Sequence, residues 1–140
     1  MQTWLKLIGS TDKPITEDPY YGKYDETYVG FRKATKPSIR SGDILFLYAP
    51  GGSKRIFALT QATSDPKPNP KFDPQKEGNC FWNVNVRYLI NLPVDSGIHI
   101  DEIGTNKRNL SKSIQRQSHI RLLPEENELA DSKLRKKATG

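Results

Sequence analysis

The stretch that decides the fold is residues 41–62, SGDILFLYAPGGSKRIFALTQA. Ser41-Gly42-Asp43 is typical of a turn. The run Ile44–Ala49 that follows is apolar at every position, which predicts a strand buried on both faces. A tight Gly-Gly-Ser connection then leads into a second apolar run, Arg55–Ala62. The two runs predict an antiparallel hairpin.

Further strands are predicted on both sides of this hairpin. Residues 3–8 are mostly apolar and are stopped by Gly9-Ser10. From Trp82 to Tyr88 the side chains alternate between large apolar and polar types, which indicates a strand with one covered and one wetter face. Residues 118–123 predict a final strand. The sum is five or six strands with short helices between them, an α+β domain built round a curled, mostly antiparallel sheet or small barrel.

Helical and irregular segments lie between and after these strands. A helix is expected to begin at Pro124, because proline suits the first helical position and acidic residues follow it. A second short helix is expected near Thr16, and residues 98–103 are compatible with another. Four prolines in residues 64–79 predict a long irregular loop. We assign one domain to residues 1–130 and a basic C-terminal tail, expected to fray, to residues 131–140.

Length and composition limit the class of protein. The chain has 140 residues, with 22 Lys and Arg against 16 Asp and Glu, for a net charge of +6. One cysteine excludes a disulfide framework and a multi-cysteine zinc site, and we expect no metal or cofactor. No apolar run approaches the roughly 20 residues of a membrane span, and no signal-peptide pattern is evident. We therefore expect a cytoplasmic monomer, away from membranes, whose basic surface favours polyanions.

Motifs for catalysis are not found. There is no Walker-type loop and no dinucleotide fingerprint, and residues 51–54 (GGSK) fit a hairpin turn better than a phosphate loop. Cys80 with His99 or His119 would make a nucleophile pair. However, Cys80 opens a predicted strand beside two aromatic residues, where a small buried thiol is the commoner outcome. The sequence therefore does not argue for an enzyme.

Aromatic and basic residues are interleaved in the irregular segments. The aromatic residues concerned are Tyr20, Tyr21, Tyr24, Tyr28, Phe31, Phe72 and Trp82. The cations near them in sequence or in the later loop are Arg32, Lys33, Lys36, Lys71, Lys107, Arg108 and Arg116. This pattern suits single-stranded or flipped-out nucleic acid, because bases stack on aromatic faces and cations hold phosphates. The alternative is that the aromatic residues only plug the ends of a small barrel.

Four segments carry a resemblance to a known family. They are TWLKLIGS (3–10), YVGFRK (28–33) with SGDILFLY (41–48) after it, FWNVNV (81–86), and SHIRLLPEE (118–126). In order and spacing the chain resembles the PUA-like superfamily, and within it the EVE domain, a relative of the YTH domain, over about residues 2–130. The family's Lys-Ser-Glu-Pro is here Leu7-Ile8-Gly9-Ser10. Its Trp in the second segment is Tyr28, and its Asn after the Arg is Lys33.

The resemblance implies a pseudobarrel with one pocket at its mouth that holds a nucleobase, often a modified one. It implies that Ser10 hydrogen-bonds the base edge and that Tyr28 forms one aromatic wall, opposite Phe72 or Trp82. The full expected set is Ser10, Tyr28, Phe31, Phe72 and Trp82 for the base, and Arg32, Lys107, Arg108 and Arg116 for phosphate.

A non-catalytic reader of RNA or DNA is therefore predicted, with room for a partner protein that supplies catalysis. One alternative is a small hydrolase acting on RNA or a modified nucleoside, similar to ASCH domains, although their Gly-x-Lys-x-x-x-Glu-x-Arg motif cannot be placed here. The other alternative is a protein-interaction module that keeps the barrel without a ligand.

Overall fold

The computed structural model describes residues 1–22, 27–52, 54–76, 79–115 and 117–139. The strands are β1 (Thr3–Leu7), β2 (Tyr28–Phe31), β3 (Ile44–Ala49), β4 (Arg55–Ala62), β5 (Lys67–Pro68), β6 (Trp82–Asn91), β7 (Ile98–His99) and β8 (His119–Arg121). The α-helices are α1 (Leu110–Ser113) and α2 (Pro124–Thr139), and short 3₁₀ helices span Val94–Ser96 and Ile100–Ile103.

Six of the strands form a curled sheet in the order β2–β6–β4–β3–β1–β8, while β5 pairs with β6 and β7 pairs with β4. Only the β1–β3 pair is parallel among the described pairs. Register shifts at Leu47/Tyr48 and at Leu59/Thr60 interrupt the central ladders. Such bulges bend a strand and increase its twist, which helps the sheet to curl. The predicted α+β class with a curled, mostly antiparallel sheet is confirmed.

The central hairpin is formed as the sequence predicts. Strands β3 and β4 have the predicted bounds and pair from Ile44↔Gln61 to Ala49↔Arg55. Every residue from Leu45 to Ala49 is buried, because both faces of the sheet are covered here. The remaining predicted strands appear as β1, β6 and β8, within one to three residues of the expected bounds.

Each face of the sheet carries its own core. The inner core draws residues from β1, β2, β3, β4 and β6 and includes Trp4, Phe31 and Phe57. The outer core packs the other face against the 3₁₀ helix Ile100–Ile103, α1 and α2, and it includes Phe46 and Leu134. Because side chains alternate along a strand, Trp4 and Ile8 of the β1 segment face inward while Leu5 faces outward.

Side chains close the gap between the two ends of the six-strand order, β2 and β8. The His119 ring of β8 packs edge-on against Phe31 of β2, with centroids 5.2 Å apart. It also packs against Trp4 of β1, at 5.3 Å. The curled sheet is therefore shut along this seam by aromatic contacts, which makes a pseudobarrel.

The Asp43 carboxylate ties the turn before β3 to the start of β1. It accepts hydrogen bonds from the Gln2 backbone N–H at 3.0 Å, the Trp4 indole N–H at 2.9 Å and the Arg40 backbone N–H at 3.0 Å. Burial alone would raise the pKa of Asp43, but these three hydrogen bonds outweigh it and hold the pKa below the ordinary value.

Two expectations about helices are wrong. Residues 16–22 form turns and bends instead of a helix, because the Asp18 carboxylate accepts the backbone N–H groups of Tyr20 and Tyr21 and so stabilises a turn. The C-terminal segment, expected as a tail, is helical to Thr139, and Ala130 and Leu134, one helical turn apart, bury one face of this helix against the outer core. Among the described residues, no helix has the length and apolar character needed to cross a membrane.

Candidate functional site

A cavity of about 230 Å³ lies at one end of the seam, where β1 and β2 end and where β6 and β8 begin. Its walls come from the two edges of the curled sheet and from the segments that adjoin them. The side chains that supply its chemistry are Lys6, Ser10, Tyr20, Arg32, Lys33, Cys80, Gln117 and Ser118. The cavity therefore collects residues from five separate stretches of the chain.

Lys6 forms the floor of this cavity. It alternates with Leu5 and Leu7 on β1 and shares the inward face of Trp4, and it is 6% exposed. Its ammonium donates a hydrogen bond to the Leu7 carbonyl oxygen at 2.8 Å and lies 4.6 Å from the centroid of the Phe31 ring. Burial lowers the pKa of Lys6 to about 8, since the charged form loses its hydration.

His119 is the register partner of Lys6 on β8. Burial, together with the neighbouring charges of Lys6 and Lys33, lowers the pKa of His119 to about 4. The imidazole is therefore neutral at pH 7, and its Nδ1 lies 2.9 Å from the Ser118 hydroxyl. It packs across the seam as an aromatic ring and adds no charge to the cavity.

Gly30 lets Tyr20 and Cys80 approach the cavity wall. A Cβ at this position would lie 2.5 Å from the Cys80 Sγ and 3.1 Å from the Tyr20 hydroxyl oxygen. The Tyr20 hydroxyl is hydrogen-bonded to the Gly30 backbone, and burial raises its pKa above the ordinary value. Because Gly30 has no side chain, the Cys80 thiol and the Tyr20 hydroxyl can lie close to the backbone of β2.

The rim of the cavity is positively charged. Arg32 and Lys33 follow β2 directly and are exposed. No aspartate or glutamate is among the described residues that line the cavity. The described part of the chain also holds no group of three or more side chains suited to a metal ion. The site can therefore attract an anion, and its floor and rim are both cationic.

Of the residues expected to contact the base, Ser10 lines the cavity. Its hydroxyl oxygen accepts a hydrogen bond from the Lys13 backbone N–H at 3.0 Å. Tyr28 lies next to this wall, with its ring centroid 6.0 Å from that of Tyr20. Phe31 is 1% exposed and lies beneath the Lys6 ammonium, so it supports the floor from within the core.

The structure does not bring Phe72 or Trp82 to the cavity. Phe72 stacks on Phe81 with ring centroids 4.1 Å apart. The Trp82 indole N–H donates to the Ala34 carbonyl oxygen at 2.9 Å, and the Lys36 ammonium lies 6.0 Å from its ring centroid. Neither side chain therefore lines the cavity opposite Tyr28: Phe72 pairs with Phe81, and Trp82 packs against the inner core.

The cations expected to contact phosphate separate into two groups. Arg32 is at the rim of the cavity. Lys107 and Arg108 instead pair with Glu125 and Glu126 of α2, at 2.7 and 2.5 Å, and do not line the cavity. Both side chains therefore join the loop before α1 to the first turn of α2. Arg116 lies outside the described residues.

Sequence reasoning did not assign Lys6, Tyr20, Lys33, Cys80 or Gln117 to the site. The sequence did contain a signal for Lys6, because a lysine between apolar neighbours on a predicted strand is rarely buried unless it has a partner. Cys80 is half-buried at the cavity wall, so the expected buried thiol is only partly buried. The other residues come together only through closure of the seam, which no local pattern shows.

A second cavity, of about 440 Å³, lies on the other side of Leu7 and Ser10, which line both. It is larger and is lined in part by Tyr48, Lys54 and Ser111. Lys54 is the one cation among its described lining residues, and it is exposed. We take the smaller cavity as the candidate site because cations line both its floor and its rim.

The curled sheet, its seam and the helix on its outer face define a PUA-like pseudobarrel. No protein-family model matches the sequence, and no match is found among curated protein sequences. Solved structures do match, and the DUF55 domain of human thymocyte nuclear protein 1 is one with a PUA-like fold. That domain is 18% identical, with a TM-score of 0.57, and the alignment covers 99% of each chain.

Two bacterial proteins of similar size share this architecture. Rpa0253 from Rhodopseudomonas palustris is 17% identical with a TM-score of 0.61, over 96% of this chain and 93% of that one. Atu2648 from Agrobacterium tumefaciens is 17% identical with a TM-score of 0.63, over 95% and 93%. At these identities the likeness establishes the fold.

Proposed function

We propose that this protein is a non-catalytic nucleic-acid-binding module that holds one unpaired base in the 230 Å³ cavity. The observation that carries the proposal is a small cavity in the seam of a PUA-like fold, with a buried cation on its floor and two exposed cations on its rim. Arg32 and Lys33 would hold the phosphates of the bound nucleotide and its neighbour.

The dimensions of the cavity favour a small planar ligand. Its volume is below the roughly 300 Å³ at which pockets for drug-sized ligands begin. Tyr20 supplies an aromatic side chain, while Ser10 and Gln117 supply polar groups for a base edge. A base can enter such a site only after it leaves its stack, which favours single strands or flipped-out nucleotides. The resemblance to EVE domains extends the proposal to modified bases.

The exposed aromatic pair of Phe72 and Phe81 supports the same function. Phe81 is 38% exposed and stacks with Phe72. Exposed aromatic faces can stack bases that adjoin the bound one, and each such contact is worth about 1–3 kcal/mol. This pair would give a single strand a second point of attachment.

The proposal is tested by titrating the protein with single-stranded RNA and DNA over a range of salt concentrations. We expect binding to weaken steeply with salt, because cations that hold phosphates release counterions. Arg32→Gln should weaken binding and lower the salt slope by about one unit. The matched control is Lys136→Gln, since Lys136 is exposed near the end of α2. Absence of binding to either nucleic acid, or equal effects of the two variants, would contradict the proposal.

An enzyme is the second candidate, and one observation favours it. A buried lysine with a lowered pKa shares the cavity with the Cys80 thiol, and perturbed groups of this kind occur at catalytic sites. Incubation with RNA, N-acetylated nucleosides and modified DNA distinguishes the two functions. Turnover that is lost in Lys6→Met or Cys80→Ser would establish the enzyme and overturn the non-catalytic module.

A further inference from the structure

We propose that Lys6 reads an oxygen edge of the bound base, so that the cavity selects bases carrying a ring carbonyl oxygen over those carrying an amino group there. This inference rests on the proposed function and adds the chemical class of base that the cavity accepts. The feature that carries it is a buried ammonium that faces the cavity and is matched by no carboxylate among the described lining residues.

The first step is the number of donors on Lys6. An ammonium group has three N–H donors and no acceptor. The structure gives its Nζ one hydrogen bond, to the Leu7 carbonyl oxygen, and one ring contact, with Phe31. At 6% exposure the side chain has little access to bulk water. A buried charge without a charged partner is costly, so a ligand that brings further acceptors to this group gains interactions that the free protein lacks.

The second step is what else faces the ammonium. Cys80 and Arg32 line the same cavity, and Cys80 raises the pKa of Lys6 while Arg32 lowers it. His119 lies opposite Lys6 on β8 as a neutral ring. Lys33 adds positive charge near His119. The Tyr20 hydroxyl is engaged with the backbone of Gly30. None of these groups is a carboxylate, and the Cys80 sulfur is only a weak acceptor, so a strong acceptor at this ammonium would come from the ligand.

The third step separates a base from a phosphate. Lys6 is on the floor of the cavity, whereas Arg32 and Lys33 are exposed at its rim. A phosphate can contact the exposed cations at the rim while it keeps its hydration. The base is then the part of the nucleotide that reaches the floor of the cavity. There a carbonyl oxygen accepts from the ammonium, but an amino group would set donor against donor and leave both unpaired.

The experiment uses short single strands of adenosine in which one central nucleotide is changed. Adenosine and inosine form one matched pair at that position, and cytidine and uridine form another. Each pair exchanges an exocyclic amino group for a carbonyl oxygen, and the adjacent ring nitrogen changes from an acceptor to an N–H donor. Both RNA and DNA versions are measured by equilibrium titration. We expect the oxygen-bearing base to bind about 10- to 100-fold tighter within each pair.

Lys6→Met is the decisive variant, because methionine has a similar length and carries no charge. It should remove the preference within each pair, while Lys136→Met on α2 leaves the preference unchanged. Circular dichroism and a thermal melt establish that the variant is folded. If Lys6→Met weakens both strands of each pair by the same factor and keeps the preference between them, Lys6 holds phosphate and the inference is overturned.

A second readout follows the proton on Lys6. An acceptor bound to the ammonium should raise its pKa, so binding should take up protons between pH 8 and 9. Calorimetry in two buffers of different ionisation enthalpy measures this uptake. Lys6→Met should abolish it, and Cys80→Ser, which removes the nearby thiol, should leave it in place.

The outcomes distinguish the inference from the proposed function. A preference for the amino-bearing base, or no preference in either pair, overturns the inference but leaves a nucleic-acid-binding module. No binding to any strand overturns the proposed function and the inference with it. Tighter binding of the oxygen-bearing base, lost only in Lys6→Met, supports both.

Discussion

At the scale of the residue, Lys6 couples stability to binding. Its pKa falls from 10.5 to about 8 on folding, which corresponds to about 3 kcal/mol of destabilisation. The folded-state pKa is the lower one, so the full penalty is present below pH 8. It disappears as the pH rises from 8 to 10.5, because the unfolded chain then also loses the proton. The protein keeps a destabilising charge at the floor of its cavity.

The first prediction concerns this charge. Lys6→Met should raise the free energy of unfolding at pH 7 by about 1–3 kcal/mol, because it removes a buried charge and keeps the volume. By pH 10 the advantage over the wild-type protein should largely disappear. Urea denaturation at both pH values measures it. A difference that stays constant with pH would show that burial of the charge is not what destabilises the fold.

The second prediction concerns Asp43. Asp43→Asn should lower the free energy of unfolding by about 1–3 kcal/mol, because one amide oxygen cannot replace two carboxylate oxygens that accept three hydrogen bonds. The wild-type pKa is lowered on folding, so this stabilisation is present above about pH 4 and is lost as the pH falls through the folded value. Denaturation from pH 7 to pH 2 should show the two proteins converging in acid. Equal stability at pH 7 would contradict this account.

At the scale of the element, helix α2 is held by a buried ion pair. Arg108 contacts both carboxylate oxygens of Glu126, which is 0% exposed. The same carboxylate accepts the Leu123 backbone N–H at 2.7 Å, which satisfies a donor at the start of α2. This carboxylate therefore ties the 104–109 loop to the first turn of the helix.

The third prediction compares two neighbouring pairs. Arg108→Ala should lower the free energy of unfolding by about 3–5 kcal/mol, because it leaves the Glu126 charge buried and unpaired. Lys107→Ala is the matched control. Its pair with Glu125 joins side chains that are 62% and 48% exposed, so the loss should be below about 1 kcal/mol. Thermal and urea denaturation measure both, and equal effects would show that Arg108 does not hold the helix.

These elements show why the strands were predictable and the roles of the loop cations were not. Strands β3 and β4 follow from the apolar runs 44–49 and 55–62, which contain their own evidence for burial. The charge of Arg108 indicates that it needs a partner but not which one. Its partner lies 18 residues further on and is identified only by the docking of α2. The loop sequence alone does not indicate this carboxylate partner, and contact of Arg108 with phosphate stays a prediction.

At the scale of the whole molecule, the candidate site exists because the two ends of the curled sheet meet. The walls come from residues near positions 6–10, 20, 30–33, 80 and 117–118. The strands predicted from the sequence carry Lys6, Leu7, Ile8 and Ser118 of these residues. The expected contacts of Ser10 with a base and of Arg32 with phosphate stay predictions. The sequence does not show the seam, because the contacts of His119 with Phe31 and Trp4 join distant parts of the chain.

The fourth prediction tests the shape of the cavity. Gly30→Ala should weaken binding of a single strand about tenfold or more, because the new Cβ displaces the Cys80 thiol and the Tyr20 hydroxyl into the cavity. Gly104→Ala is the matched control, since its Cβ would meet only ordinary contacts, the nearest being the Asp101 carbonyl oxygen at 3.5 Å. Equilibrium titration measures both. Full binding by Gly30→Ala would place the base elsewhere.

The central claim, that one base leaves its stack and enters the cavity, is tested most directly by removing bases one at a time. Short single strands that each carry one abasic nucleotide, at successive positions, are titrated against the wild-type protein. The account predicts that one position costs about tenfold or more in affinity, as expected for loss of a bound base, while most positions cost little. In Gly30→Ala that difference should disappear. Equal affinity for every abasic strand and for the intact strand would contradict the account.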